Sequence, residues 1–177
     1  WCPFLTNIAT IKSVVRSAKS ISKNNKLRNI DEVTVLNSSG EWDFLKKESS
    51  KIKIKDLYPF SFHKFLPKEG FIQSRISFLI IFFVNFFPLI IKIQKEKPKY
   101  LIVHLLTILP IILSPLISKN TKIILRISGL PKLTIIRTVI WKLFSKYIHK
   151  VTAPTQKTLK MLKKSKIFNQ NKIILLR

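Results

Sequence analysis

Three histidines, one cysteine and eight carboxylates are all that this 177-residue chain offers as the usual metal-ligating side chains. No pair among His63, His104 and His149 has metal-ligand spacing, so no metal site is expected. Cys2 alone makes neither an intrachain disulfide nor a thiolate cluster, which favours a reducing, cytoplasmic setting with Cys2 as a small buried thiol. The glycines are Gly40, Gly70 and Gly129. They form neither GxGxxG nor a P-loop, which argues against dinucleotide and ATP sites and leaves no cofactor to expect.

His104 stands apart by position, because it follows Leu101-Ile102-Val103 and closes an apolar run. At a strand end facing a cleft, an imidazole donates a hydrogen bond to a hydroxyl or takes up charge; within a core it is a satisfied structural group. Thr6 and Asn7 precede a predicted helix. There they can offer hydroxyl, amide and backbone N–H groups to ligand oxygens, or simply cap the helix. Arg126, Ser128 and Gly129 follow another apolar run, where an anionic ligand group can lie against them. Arg126 can equally serve as an ion-pair partner.

The elements that must position these residues alternate between strand and helix. Ile8, Ile11, Val14, Val15 and Ala18 recur at helical spacing, with Lys12, Arg16 and Lys19 opposite. Glu32 to Asn37 reads as a strand closed by Ser38-Ser39-Gly40, and Ile52 to Leu57 as another. Phe71 to Gln94 reads as a helix kinked at Pro88. Strand Tyr100 to His104 then leads to a helix from Ile108 to Ile117, with Thr107 as its cap and Pro110 in its first turn. Strand Lys122 to Ile127 precedes a helix from about Thr134 to His149, whose apolar face is read as Ile136, Ile140, Leu143, Phe144 and Tyr147. Strand Lys150 to Ala153, a helix capped near Thr155 and strand Lys172 to Leu176 complete the chain. Continuous Ile, Leu and Val strands separated by helices predict a doubly wound α/β domain with a parallel sheet covered on both faces. Ligands then belong outside the carboxyl ends of its strands.

The charge balance is +25, with 33 Lys and Arg against 8 Asp and Glu. An anionic neighbour is expected. The basic residues are scattered through every segment without a nucleic-acid-binding signature, so the expected partner is an anionic membrane surface or phosphorylated substrate rather than nucleic acid. Two apolar stretches, Ile76 to Ile91 and Tyr100 to Ser118, raise a membrane-spanning alternative, an integral or scaffolding protein with two helices in lipid. The first is short of the roughly 20 residues a span needs, and the second carries His104, Pro110 and Pro115.

The run KPKYLIVH, Lys97 to His104, resembles the family 4 glycosyltransferase pattern in which a strand introduced by Pro-Asp ends, six residues after the proline, in a cleft histidine. Pro98 and His104 have that spacing. The order WCPFLTNIATIKSVVRSAKSI, EVTVLN, KIILRISGLP, KVTAPTQKTLKMLKK and KIILLR is similar to the family's order of elements over most of the chain. Two positions depart: Phe4-Leu5-Thr6-Asn7 stands where relatives commonly have glycines, and Lys99 where an acidic residue is usual.

The resemblance implies the N-terminal, acceptor-side half of a GT-B enzyme over residues 1–177. Its Rossmann-like sheet would lack the opening strand, and the donor-binding domain with its paired glutamates would lie outside the chain. It further implies transfer of a sugar from a nucleotide-sugar to a glycan or lipid-linked acceptor, with retention, at the inner membrane face. His104 would contact the transferred sugar. Such a half is not expected to be active alone.

Overall fold

Every strand pairing in the computed structural model is parallel among the described residues, which are 1–6, 9–23, 32–46, 52–117, 119–128 and 133–176. The α/β class with parallel pairing agrees with the sequence reading. The strands form two sheets rather than one, a two-stranded sheet and a four-stranded sheet whose order follows the sequence. Among the described residues the larger sheet therefore shows no reversal of strand order, the feature that defines double winding. The chain divides into two compact units, Trp1–Pro88 and Leu89–Arg177, each described by itself.

In the first unit, helix α1 (Ala9–Lys23) buries Ile11, Val14 and Ala18 and exposes Lys12, Arg16 and Lys19, as its periodicity requires. Strand β1 (Thr34–Asn37) pairs with β2 (Lys53–Asp56) so that Asn37 stands opposite Asp56 at their carboxyl ends. Between them lies the short helix α2 (Asp43–Lys46). Trp42 is fully buried; its indole donates to the Cys2 carbonyl at 3.2 Å and meets Phe4 edge to face.

The expected long helix is interrupted. Helix α3 (Phe71–Val84) stops at Asn85, and α4 (Phe86–Glu96) carries Pro88 in its first turn. Proline has no N–H for the carbonyl four residues back and collides with it, so the break falls before Pro88 rather than at it. The Val84 carbonyl would have been Pro88's acceptor; it receives the Tyr58 hydroxyl instead.

In the second unit, α4 ends with Lys97 at φ 44°, its N–H on the Ile93 carbonyl at 2.9 Å, and Pro98 follows. Strands β3 (Tyr100–Val103), β4 (Lys122–Arg126), β5 (Ile148–Ala153) and β6 (Ile173–Leu175) lie side by side. Their crossovers carry helices α5 (Ile108–Leu113), α6 (Ile135–Phe144) and α7 (Gln156–Lys164), because parallel neighbours cannot be joined by a tight turn. Val103, Leu109, Ile111, Leu125, Val151 and Leu162 have no exposed surface.

Three readings need correction here. Thr107 has helical φ and ψ and makes no side-chain cap, whereas Thr155 does cap α7, accepting from the Thr158 N–H at 3.1 Å. Helix α6 ends at Phe144, and β5 already starts at Ile148, placing His149 on a strand. Tyr147 continued the helical spacing, but pairing of Ile148 with Ile123 decides the conformation. Finally, α6 packs through Trp141, 1% exposed, while Ile136 and Leu143 are 70% and 64% exposed. The second apolar stretch is a strand followed by a short, mostly buried helix. Among the described residues no single helix is long and apolar enough to cross a membrane; the broken pair α3 and α4 passes by length and composition only.

Replacing Tyr58 by Phe should destabilise the protein by about 1 kcal/mol, the net worth of one hydrogen bond. In a Pro88→Ala background, where the new residue can supply the helical N–H, the same replacement should cost almost nothing. Equal costs in both backgrounds, from chemical denaturation, would contradict this account of the break.

Candidate functional site

Parallel strands bring their carboxyl ends to one edge of a sheet, and both sheets carry polar side chains there. In the larger sheet His104 lies one residue beyond the Val103–Leu125 pairing, level with Arg126 on the neighbouring strand. His104 is 7% exposed, and its Nδ1 has no hydrogen-bond partner among the described residues. Burial above all, reinforced by nearby positive charge of which Arg126 supplies a smaller part, pushes its pKa down to about 3. The imidazole is therefore neutral at physiological pH and acts as a hydrogen-bonding group rather than a proton-donating acid. The sign for stability follows: as pH falls from 6.5 towards 3, the unfolded chain takes up this proton first. The buried ring thus costs stability across that window and not above it.

Leu106, two residues on, has φ 47°, a left-handed conformation that a branched side chain rarely adopts. This strain sits in the turn that carries the chain from His104 to α5. Arg126 is half-buried at the end of β4; Ser128 follows, exposed, after the buried Ile127. His104, Arg126 and Ser128 thus share one sheet edge, as expected. Gly129 and Asn7 lie outside the described residues. Thr6 belongs to the first unit and is exposed in the bend before α1.

The smaller sheet edge holds a cluster that the sequence reading did not assign. Asn37 donates through Nδ2 to Asp56 Oδ1 at 2.6 Å and to Asp43 Oδ1 at 2.8 Å, and its Oδ1 accepts from the Trp42 N–H at 3.0 Å. Lys46 Nζ reaches both carboxylates, 2.8 Å from Asp43 and 2.7 Å from Asp56. Beside this network is a cavity of about 320 Å³, walled also by Tyr58 and Phe60.

Glu41 holds the preceding loop from inside. Buried to 3% exposure, it accepts from the Ser38 and Ser39 N–H groups at 3.1 and 2.7 Å and from both hydroxyls at 2.5 and 2.9 Å. Gly40 has φ 105°, and a Cβ there would stand 1.7 Å from Ser61 Oγ, so the tight turn admits only glycine. Ser39 Oγ also lies 3.2 Å from His63 Nδ1. That is not a nucleophile and base: the hydroxyl donates to Glu41, and Ser39 is 1% exposed. The signal for this cluster was scarcity. In so basic a chain, Asp56 falls at the end of one predicted strand and Asp43 in the loop that follows another.

Among the described residues no three His, Cys, Asp or Glu side chains converge as a metal-binding group. No protein-family model, curated protein or solved structure matches the chain.

Proposed function

We propose that the chain is the acceptor-side part of a nucleotide-sugar-dependent glycosyltransferase, a GT-B enzyme acting on a glycan or lipid-linked acceptor. The observation that supports this most is the neutral, buried His104 ring, its Nδ1 unmatched, at the carboxyl end of β3 beside Arg126. A buried polar atom without a partner is costly, and a ligand hydroxyl would satisfy it. Sugar transfer passes through an oxocarbenium-like centre with a departing diphosphate, which needs fixed dipoles in a dry cleft more than a strong base. In this reading His104 holds a hydroxyl of the transferred sugar, and Arg126 and Ser128 face phosphate or acceptor oxygens. Thr6, Asn7 and Gly129 keep their proposed binding roles on sequence grounds alone. The Rossmann-like description belongs to the same proposal.

A membrane-bound acceptor agrees with the surface chemistry. Helix α3 exposes Phe71, Ile72, Leu79 and Phe83 at 56 to 71%, with Arg75 over the Phe71 ring and Lys64 and Lys68 in the segment before the helix. Helix α6 exposes Ile135, Ile136, Val139 and Leu143 beside Lys142 and Lys146. Apolar faces flanked by cations suit the interface of an anionic bilayer, where each basic residue near the surface contributes about 1 kcal/mol.

In the full-length enzyme, His104→Ala should lower kcat by about 10²-fold with little change in unfolding midpoint. Unchanged turnover in a folded variant would remove His104 from the chemistry. The protein should also sediment with vesicles containing phosphatidylglycerol and not with phosphatidylcholine alone, and Phe83→Asp should weaken this. Equal binding to both vesicle types would contradict the electrostatic part.

A further inference from the structure

We propose that the cavity at the carboxyl ends of β1 and β2 binds an uncharged pyranose, its hydroxyls on Asp43 and Asp56 and its C–H face on Phe60. The proposal rests on the first unit alone and stands whether or not the transfer reading holds.

Charge selects the class of ligand. Asp43, Asp56 and Lys46 leave the lining with one net negative charge, in a chain whose formal charge is +25. Phosphates and carboxylates are thereby disfavoured where most of this protein would attract them. The two aspartates are also oriented in advance. Lys46 and Asn37 bond Oδ1 of both, and Lys46 also reaches Asp56 Oδ2 at 2.8 Å. A carboxylate offers about four lone-pair sites, so acceptor capacity remains on each. Both side chains keep 41% of their surface open, so a ligand hydroxyl can reach them.

Shape and the apolar wall complete the case. Phe60 is 64% exposed, with its ring 5.7 Å from that of Tyr58. An exposed aromatic beside paired carboxylates offers a hydroxylated ring both things it needs, acceptors at its edge and a flat apolar surface for its C–H face. The volume of about 320 Å³ lies at the small end of the range for small-molecule sites and matches a single sugar ring rather than a longer chain. Gly40 keeps the space beside Asp43 clear, since a Cβ there would come 2.9 Å from Asp43 Oδ2.

The test is saturation-transfer difference NMR on the full chain. The probes are the methyl glycosides of glucose, galactose, mannose and N-acetylglucosamine, with glucose 6-phosphate and ethanolamine as comparisons. At least one methyl glycoside should show ring-proton enhancement, and its affinity should fall about tenfold in Asp56→Asn and in Phe60→Ala. Phe60 is a surface side chain, so its variant serves if Asp56→Asn fails to fold. Three outcomes would overturn the proposal: no enhancement with any methyl glycoside, enhancement unchanged in folded Phe60→Ala, or preferential binding of ethanolamine or glucose 6-phosphate.

Discussion

Parallel strand pairing is the constraint on which the rest of this molecule depends. A chain that enters each strand from the same end must return through a long crossover, usually helical, every time. Every loop that follows a strand then emerges on one edge of its sheet. His104 after β3, Arg126 at the end of β4 and the Asn37–Asp56 pair at the ends of β1 and β2 are direct products of that rule. None of them needs a special motif to be in place. The chemistry of each edge is set by which side chain happens to terminate the strand.

The two edges solve opposite electrostatic problems. On the larger sheet a histidine is buried beside a guanidinium, and burial together with nearby positive charge keeps the ring neutral. On the smaller sheet two carboxylates lie close together, and Lys46 and Asn37 between them relieve the repulsion. Asp43 is accordingly held below the ordinary carboxylate range; desolvation opposes this, and the Lys46 ammonium and the Asn37 amide outweigh it. One edge thus presents neutral and cationic groups and the other a net negative charge, within a strongly basic chain.

Much of this was legible in the sequence, and the failures have physical causes. Strands β3 to β6 and helices α1 and α7 were readable because their apolar residues repeat with one period and end at turn residues. The end of α6 was not, since Tyr147 fits the helical spacing and only pairing with β4 turns Ile148 into a strand. Its packing face was wrong in part for a related reason: periodicity finds an apolar stripe but cannot say which stripe is covered, and Trp141 is buried where Ile136 and Leu143 are exposed and Ile140 and Phe144 half-buried. The break before Pro88 was visible to within three residues. The placement of His104 and Arg126 at one edge followed from strand ends alone, whereas the Asn37 network depends on contacts up to 19 residues apart that no local pattern encodes.

The central claim, that the imidazole at the carboxyl end of β3 is buried and neutral, is tested most directly by titrating the His104 ring by nitrogen NMR in the folded full chain. The account predicts a single neutral tautomer as pH is lowered from neutrality, with protonation only near 3 or on unfolding. A ring that titrates reversibly near the ordinary value of about 6.5 in the folded protein would contradict it.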